Sequence, residues 1–402
     1  MRAYALIATH PPFRRFWLAL LLVMLADEIV RTTLVWQAYA ITRSPQAVGL
    51  LMVCLTGPIV VSGLLAGWLL DRYPRARVMA ADGGFRTFVF AAVALFTASG
   101  AGGMVPLYLA AVVQGALLMV LLAGAPSAIA ELVEESARPA ANALEMVGYS
   151  IAVAVGPFLA GLLIARAGAW VALALAACAY AIFCAGVAGM PIGGGVRRQA
   201  APVSLRESGL LHPVIVVTTI MFALFNIGTG WLGVWMPLLV TALGGSATLY
   251  GSLLAIAGIG QTTGALAAGS VRGTAGRGLA IAAVQALSGL VLLPVAIAPM
   301  ITTSAAAAFL FGAFSGPMTV WAQTIRMRVV APQWRGRAFA SLRMIMQSGR
   351  PLGGAIGGEA LALLPLGLSI AATGLIIVIP AFAGALHPAL RQNPDAPGTR
   401  LA

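Results

Sequence analysis

Twelve long apolar runs follow one another along this chain, separated by short polar connections. They cover approximately residues 16–41, 47–70, 78–99, 104–130, 140–165, 168–190, 213–241, 248–271, 278–300, 303–329, 338–363 and 365–387. Each run is continuous rather than alternating. Each approaches or exceeds the roughly 20 residues that one crossing of a bilayer's hydrocarbon core needs. Lipid offers the backbone no hydrogen-bond partners, so a crossing segment closes its bonds within a helix or a closed barrel. Unbroken apolar runs select the helix, and the pattern predicts an all-α polytopic membrane protein with 12 transmembrane helices. The first run, about 26 residues long with charges inside it, exceeds the core of a cleavable leader and reads as a retained helix.

Composition agrees: of 402 residues, 60% are hydrophobic and only 9% charged, against about 25% charged in soluble domains. The net charge of +13 comes entirely from arginine, because the chain has no lysine. The arginines follow alternate connections. Arg2, Arg14 and Arg15 precede the first run, Arg72, Arg75 and Arg77 follow the second, and Arg138 follows the fourth. Arg197, Arg198 and Arg206 follow the sixth, Arg272 and Arg277 the eighth, Arg328, Arg335 and Arg337 the tenth, and Arg391 and Arg400 the last. The opposite connections carry only Arg43 and Arg166. Short cytoplasmic loops retain basic residues, so both termini are expected in the cytoplasm, with the chain in a bacterial inner membrane. Charge that follows topology forms no single basic patch, which argues against a nucleic-acid partner. Cys54, Cys178 and Cys184 all fall inside runs and are expected as free thiols, with no metal site.

The longest polar connection, Pro191–Pro213, divides the runs six and six. The expected organisation is an N-terminal six-helix bundle over 1–190, a linker over 191–212, a C-terminal bundle over 213–388 and a tail over 389–402. The halves repeat by offset: Gly49, Gly67 and Arg75 recur 202 residues on as Gly251, Gly269 and Arg277. Gly115 and Arg138 recur 197 residues on as Gly312 and Arg335. Two parallel six-helix repeats imply a pseudo-twofold axis along the membrane normal, with a site between the halves near mid-depth.

The connection between the second and third runs reads Gly67-Trp-Leu-Leu-Asp71-Arg72-Tyr-Pro-Arg75-Ala-Arg77. Gly63 and Gly67 form a small-residue face expected to let two helix backbones approach closely. Asp71 stands at a helix end, where a carboxylate suits the positive N-terminus of another helix. Arg72, Arg75 and Arg77 are candidates to pair with Glu131, Glu134 and Glu135, and pairs that form in one state and break in another make a gate. The segment resembles the cytoplasmic loop of the major facilitator superfamily, G-x-x-x-D-R-x-G-R-[RK], with Pro74 where glycine is usual and Ala76 where a second basic residue is common. Phe13-Arg-Arg-Phe16, Ile41-Thr-Arg-Ser44 and Arg335-Gly-Arg337-Ala-Phe339 resemble the bacterial efflux branch that includes macrolide and enterobactin exporters. The resemblance covers roughly residues 13–387. It implies two pseudo-symmetric six-helix bundles and a partner for Asp71 near Ala338.

Asp27, Glu28 and Arg31 lie near the middle of the first run. Charges buried in a span cost at least about 2.5–3.5 kcal/mol, so they face the bundle interior or a wet cavity. Asp27 and Arg31, four apart, are expected to pair. Glu28, turned about 100° away, is then the better proton carrier. A static salt bridge that fixes helix packing is the alternative. Arg350 lies mid-span in Gln347-Ser-Gly-Arg350-Pro-Leu-Gly-Gly354, and the shared proline aligns it with Gly156 of Gly156-Pro157-Phe-Leu-Ala-Gly161. Its permanent charge needs a counter-ion: Asp27, Glu28 or an anionic group on a substrate. Asp82 and Arg86 read as a local pair near the cytoplasmic end of the third span. Arg326, Arg328 and Arg343 are expected to snorkel from helix ends. The Gly156–Pro157 step resembles the glycine-proline motif of superfamily antiporters, which adds it to the gating candidates together with Arg335 and Arg337.

In the superfamily the first, fourth, seventh and tenth spans line the cavity. The resemblance therefore implies Gln114, Asn226, Trp231, Trp235, Trp321 and Gln323 as substrate contacts beside Arg31 and Arg350. Apolar walls with few polar anchors suit small organic ligands. No phosphate-binding glycine loop ends in lysine, so ATP hydrolysis is not the expected energy source. His10, His212 and His387 lie at span edges and form no catalytic cluster, so an enzyme is not expected. The leading expectation is a monomeric proton-coupled exporter of a drug-like compound, siderophore or anionic metabolite. It takes no cofactor beyond the proton gradient and works by alternating access in the lipid bilayer. Proton-coupled uptake and a transport-inactive sensor are the alternatives.

Overall fold

The structure is a computed structural model that describes residues 6–7, 9–100, 102–193, 209–270, 277–330 and 335–391. Most of the expected linker, Arg272, and the terminal Arg2 and Arg400 lie outside these residues, as do the side chains of Arg335 and Arg337. Among the described residues the regular structure is all helical, joined by short turns and irregular connections. Its helices are α1 (Pro11–Thr42), α2 (Pro45–Arg72), α3 (Arg75–Ala98), α4 (Met104–Leu132), α5 (Arg138–Ala167), α6 (Ala169–Val187), α7 (Pro213–Ala242) and α8 (Ala247–Ser270). They continue with α9 (Arg277–Leu290), α10 (Leu293–Ile297), α11 (Ile301–Val329), α12 (Arg335–Gln347), α13 (Gly349–Leu363), α14 (Leu366–Leu386) and α15 (Pro388–Arg391). Paired as α9–α10 and α12–α13, the longer helices make 12 spans.

Among the described residues, ten segments are long and apolar enough to cross a membrane by length and composition alone. The other two spans miss that standard for reasons that bear on function. α1 is 32 residues long but carries Asp27, Glu28 and Arg31. The eleventh span is divided at Ser348 into helices of 13 and 15 residues. Pro351 explains the division, since it donates no N–H to the carbonyl four residues back, at Gln347. Large apolar side chains such as Phe88, Leu95, Leu266 and Ile297 are exposed, which is the expected outer surface of a protein whose solvent is lipid.

The chain forms two compact units. Unit 1 comprises Met1–Gln199 with Gly245–Ala255, and unit 2 comprises Ala200–Gly244 with Ile256–Ala402. The start of α8 belongs with unit 1 because it packs on α5: a Cβ added at Gly161 would collide with the Ala247 carbonyl, and one at Gly251 with the Pro157 carbonyl. Within unit 1, α1 packs on α5 and α6, α2 on α4, and α3 on α6. Unit 2 repeats this scheme: α7 packs on α13 and α14, and α9 on α14. Glycines carry the repeat to atomic detail. Gly115 of α4 sits against the Leu55 carbonyl and Gly312 of α11 against the Ala257 carbonyl, too close for a Cβ in either place. Leu55 and Ala257 are 202 residues apart, the offset of the sequence repeat.

One packing expectation is corrected. Gly67 has nothing within 4 Å of the place a Cβ would occupy, and Gly63 meets only Met119 at 4.0 Å. The close approach between α2 and α4 comes instead from Gly115 on the partner helix, so the two glycines of α2 are not what brings the backbones together.

Candidate functional site

The α1 charges diverge because successive residues turn about 100° on a helix. Asp27 faces α3, α4 and α6, and Glu28 faces α5. Inside unit 1, four side chains from four helices converge on Arg86, near the middle of the 24-residue α3. Arg86 Nη1 donates to Asp27 Oδ1 at 2.6 Å and Arg86 Nε to Asp82 Oδ1 at 3.2 Å. Gln114 Nε2 donates to Asp27 Oδ1 at 2.9 Å, and the Tyr180 hydroxyl donates to the same oxygen at 2.7 Å. The guanidinium lies over the Tyr180 ring at 5.4 Å, and Phe90 stacks on that ring at 5.6 Å. Gly83 makes the convergence possible: a Cβ there would meet Phe183 at 2.9 Å and the Tyr180 carbonyl at 3.2 Å, so α3 and α6 come close enough for Tyr180 to reach Asp27.

The network is unevenly balanced, with two carboxyl groups for one guanidinium. Asp82 Oδ2 and Arg86 Nη2 are buried without a partner. Side-chain exposure is 0% for Arg86, 3% for Asp82 and 11% for Asp27. Asp27 is therefore the charged member of the network that opens most toward accessible space, and it shares its counter-ion with a second acid.

The expected Asp27–Arg31 pair is not present. Arg31 pairs with Glu28, one turn back on the same helix, and its side chain is 44% exposed. Asp27 points to the interior, where Arg86 supplies a buried guanidinium. The Asp82–Arg86 pair is present, but it lies mid-helix and extends across the bundle rather than standing alone near a helix end. Both candidate acids thus have cationic partners in unit 1.

Unit 2 places its charge in the reciprocal position. In unit 1 a Cβ at Gly156 of α5 would meet Glu28 of α1 at 2.6 Å; in unit 2 a Cβ at Gly230 of α7 would collide with the Arg350 carbonyl of α13. Glu28 and Gly230 are 202 residues apart, and Gly156 aligns with Arg350 through the prolines that follow. Each contact pairs a glycine with a charged residue, acidic in one repeat and basic in the other. Arg350 Nε donates to Asn226 Oδ1 at 3.0 Å, and Asn226 Nδ2 donates to the Phe222 carbonyl at 2.9 Å.

The tryptophans of α7 have packing roles inside unit 2. Trp231 Nε1 donates to Ser369 Oγ at 2.7 Å and Trp235 Nε1 to Thr373 Oγ1 at 3.1 Å. The rings are 5% and 2% exposed, held against α14 by a two-rung ladder of indoles and hydroxyls. Trp321 is half-buried and donates to the Ala268 carbonyl at 3.3 Å, while Gln323 is exposed.

At the α2–α3 connection, Arg75 forms an ion pair with Glu131 of α4. Glu131 Oε2 also accepts the Gly193 N–H at 2.7 Å, and the Arg75 N–H donates to the Gly193 carbonyl at 3.3 Å. The beginning of α3, the end of α4 and the chain beyond α6 are tied together there. Asp71, Arg72 and Arg77 are exposed. Arg86 and Tyr180 were the functional candidates hardest to find from sequence. Tyr180 is the only residue with a hydroxyl in an otherwise apolar α6, and that was the available signal.

The pattern of the Major Facilitator Superfamily matches residues 16–354. The chain is 30% identical over 380 residues to the uncharacterized MFS-type transporter y4rN of Sinorhizobium fredii, covering 89% of this chain and 90% of that one. It is 24% identical over 387 residues to the enterobactin exporter EntS of Salmonella choleraesuis, covering 93% and 92%. The fold is similar to that of the nucleoside transporter NupG, with a TM-score of 0.74, 14% identity, and coverage of 94% of this chain and 100% of that one.

Proposed function

The chain belongs to the major facilitator superfamily, and from that premise we propose that this multi-pass membrane transporter is a proton-coupled exporter of a small organic molecule. It resides in a bacterial inner membrane with both termini in the cytoplasm, as the arginine-rich alternate connections favour. The observation that carries the coupling is the sharing of one buried guanidinium by two acids, with Asp27 the more accessible of them. Protonation of Asp27 weakens its bond to Arg86 and leaves that cation to Asp82; deprotonation restores the competition. Two arrangements of one network form the bistable element that alternating access needs. Glu28, paired with Arg31, is the second candidate acid. Arg31 and Arg350 are the candidate contacts for an anionic or zwitterionic cargo. The Arg75–Glu131 pair, with Asp71 and the Gly156–Pro157 step, is the candidate gate. The similarity to EntS, an enterobactin exporter, supports export, with a siderophore or drug-like compound as cargo class.

The test is transport in liposomes of defined orientation. Asp27→Asn and Glu28→Gln are expected to abolish pH-gradient-driven movement while retaining part of counterflow exchange. Full gradient-driven transport in both variants would remove the two acids from the coupling role.

A further inference from the structure

Arg326 was expected to snorkel from the end of α11. It is instead 5% exposed. Its guanidinium lies over the Phe222 ring at 5.1 Å, and its Nη2 donates to the Met346 sulfur at 3.1 Å. Nε is buried and has no partner. A π face and a thioether are weak partners for a desolvated cation. An arginine keeps its charge in such surroundings, so the site lacks an anion.

The repeat shows that the fold does not require this charge. The offset that aligns Gly115 with Gly312 aligns Ile129 of α4 with Arg326, and Ile129 is 1% exposed. Unit 1 thus fills the equivalent place with an apolar side chain. The neighbours of Arg326 also have a register. Phe222 lies one turn before Asn226 on α7, and Met346 lies four residues before Arg350 across the Ser348 break. The Arg326 layer therefore stacks one turn from the Arg350–Asn226 layer in the same unit, with the α12–α13 break between them. Bending at that break moves Met346 relative to the guanidinium.

We propose that Arg326 is an oxyanion-binding site, which takes a carboxylate, catecholate or phosphate of the transported molecule when Met346 withdraws. The Met346 sulfur holds the place of that oxyanion in the present arrangement. The identification of the anion as cargo rests on the transporter reading, whereas binding itself needs neither a gradient nor a direction of transport.

The experiment is thermal stabilisation of the full-length purified protein in neutral detergent. The probes are benzoate, inorganic phosphate and, as a cationic control, tetraphenylphosphonium. Benzoate or phosphate is expected to raise the Tm of the natural protein, and tetraphenylphosphonium is not. Arg326→Ile, which copies the other repeat, is expected to fold at an unchanged or higher Tm and to bind the oxyanion at least roughly tenfold more weakly. Arg326→Lys retains part of the response, and Met346→Leu retains all of it. Arg326→Gln repeats the binding measurement independently of the isoleucine variant. No oxyanion response in the natural protein, or an equal response in the Ile and Gln variants, overturns the site. Stabilisation by phosphatidylglycerol micelles but by neither soluble anion assigns the site to a lipid phosphate and overturns its cargo role. A failed pH-gradient assay with intact benzoate binding refutes proton coupling and leaves this site standing.

Discussion

Replacing Arg86 with methionine removes the only cation from a site that holds two buried acids. The side chain is fully buried, and its partners Asp27 and Asp82 are 11% and 3% exposed, so water cannot take its place. Removing one partner of a buried ion pair costs about 3–5 kcal/mol, because it strands the opposite charge. For a unit of this size that corresponds to a drop in Tm on the order of 10 °C. Asp82→Asn alone behaves differently. It leaves Arg86 with Asp27 in a one-to-one ion pair and removes the second buried negative charge while keeping an amide oxygen for Arg86 Nε, so its cost is expected to stay below about 1 kcal/mol. In the double variant Arg86→Met/Asp82→Asn, only one acid is stranded, and part of the loss is recovered. The assay is thermal unfolding in detergent of the natural protein, both single variants and the double variant, read as a double-mutant cycle. A coupling of about 2 kcal/mol is expected, within the range for residues in direct contact. Additive effects, or an Arg86→Met loss under about 2 °C, would mean that the two acids do not depend on this guanidinium.

Three further outcomes follow from the packing and the helix ends. Gly115→Ala is expected to lose about 1–3 kcal/mol by driving a Cβ into the Leu55 carbonyl, while Gly67→Ala gains up to about 0.5–1 kcal/mol of helix propensity; melts of the two variants check the contrast. Trp231→Phe should cost about 1 kcal/mol through the lost bond to Ser369 and leave ligand affinity unchanged; a specific loss of affinity would return this ring to the substrate cavity. Burial lowers the pKa of the His212 imidazole, whose Nδ1 accepts the Val214 N–H at the start of α7. Because the folded value lies below the unfolded one, its contribution is complete above the ordinary value near 6.5 and fades as pH falls through the folded value. His212→Asn keeps a capping side chain and should flatten that part of the Tm–pH curve.

Particular residues show how far this protein was legible in its sequence. Apolar runs and alternating arginines define the spans because lipid imposes them one helix at a time. The 197-residue offset between Gly115 and Gly312 is readable in the sequence because each of these glycines sits against a backbone carbonyl and tolerates nothing larger. The site was legible only in part. Asp27, Gln114 and Arg350 stood out as polar residues in apolar runs, but which face each one turned to was hidden. Spacing on one helix points Asp27 to Arg31. Its actual partner, Arg86, comes from α3, and only the packing of α3 on α6 at Gly83 brings the set together. Trp231 and Trp235 had the same appearance as cavity-lining aromatics. The serine and threonine that hold them lie 138 residues further along the chain. Arg326 near the end of α11 looked like any snorkelling arginine, since its inward turn depends on Phe222 and Met346.

In the proposed mechanism the mid-membrane acids of unit 1 exchange protons in step with cargo. Proton release from purified protein in weakly buffered solution tests it most directly, on addition of a compound first found to stabilise the protein in a screen of siderophores and drug-like molecules. The expected result is a release that scales with bound compound and disappears in the Asp27→Asn/Glu28→Gln double variant. Binding without proton release, or an undiminished release from the double variant, contradicts it.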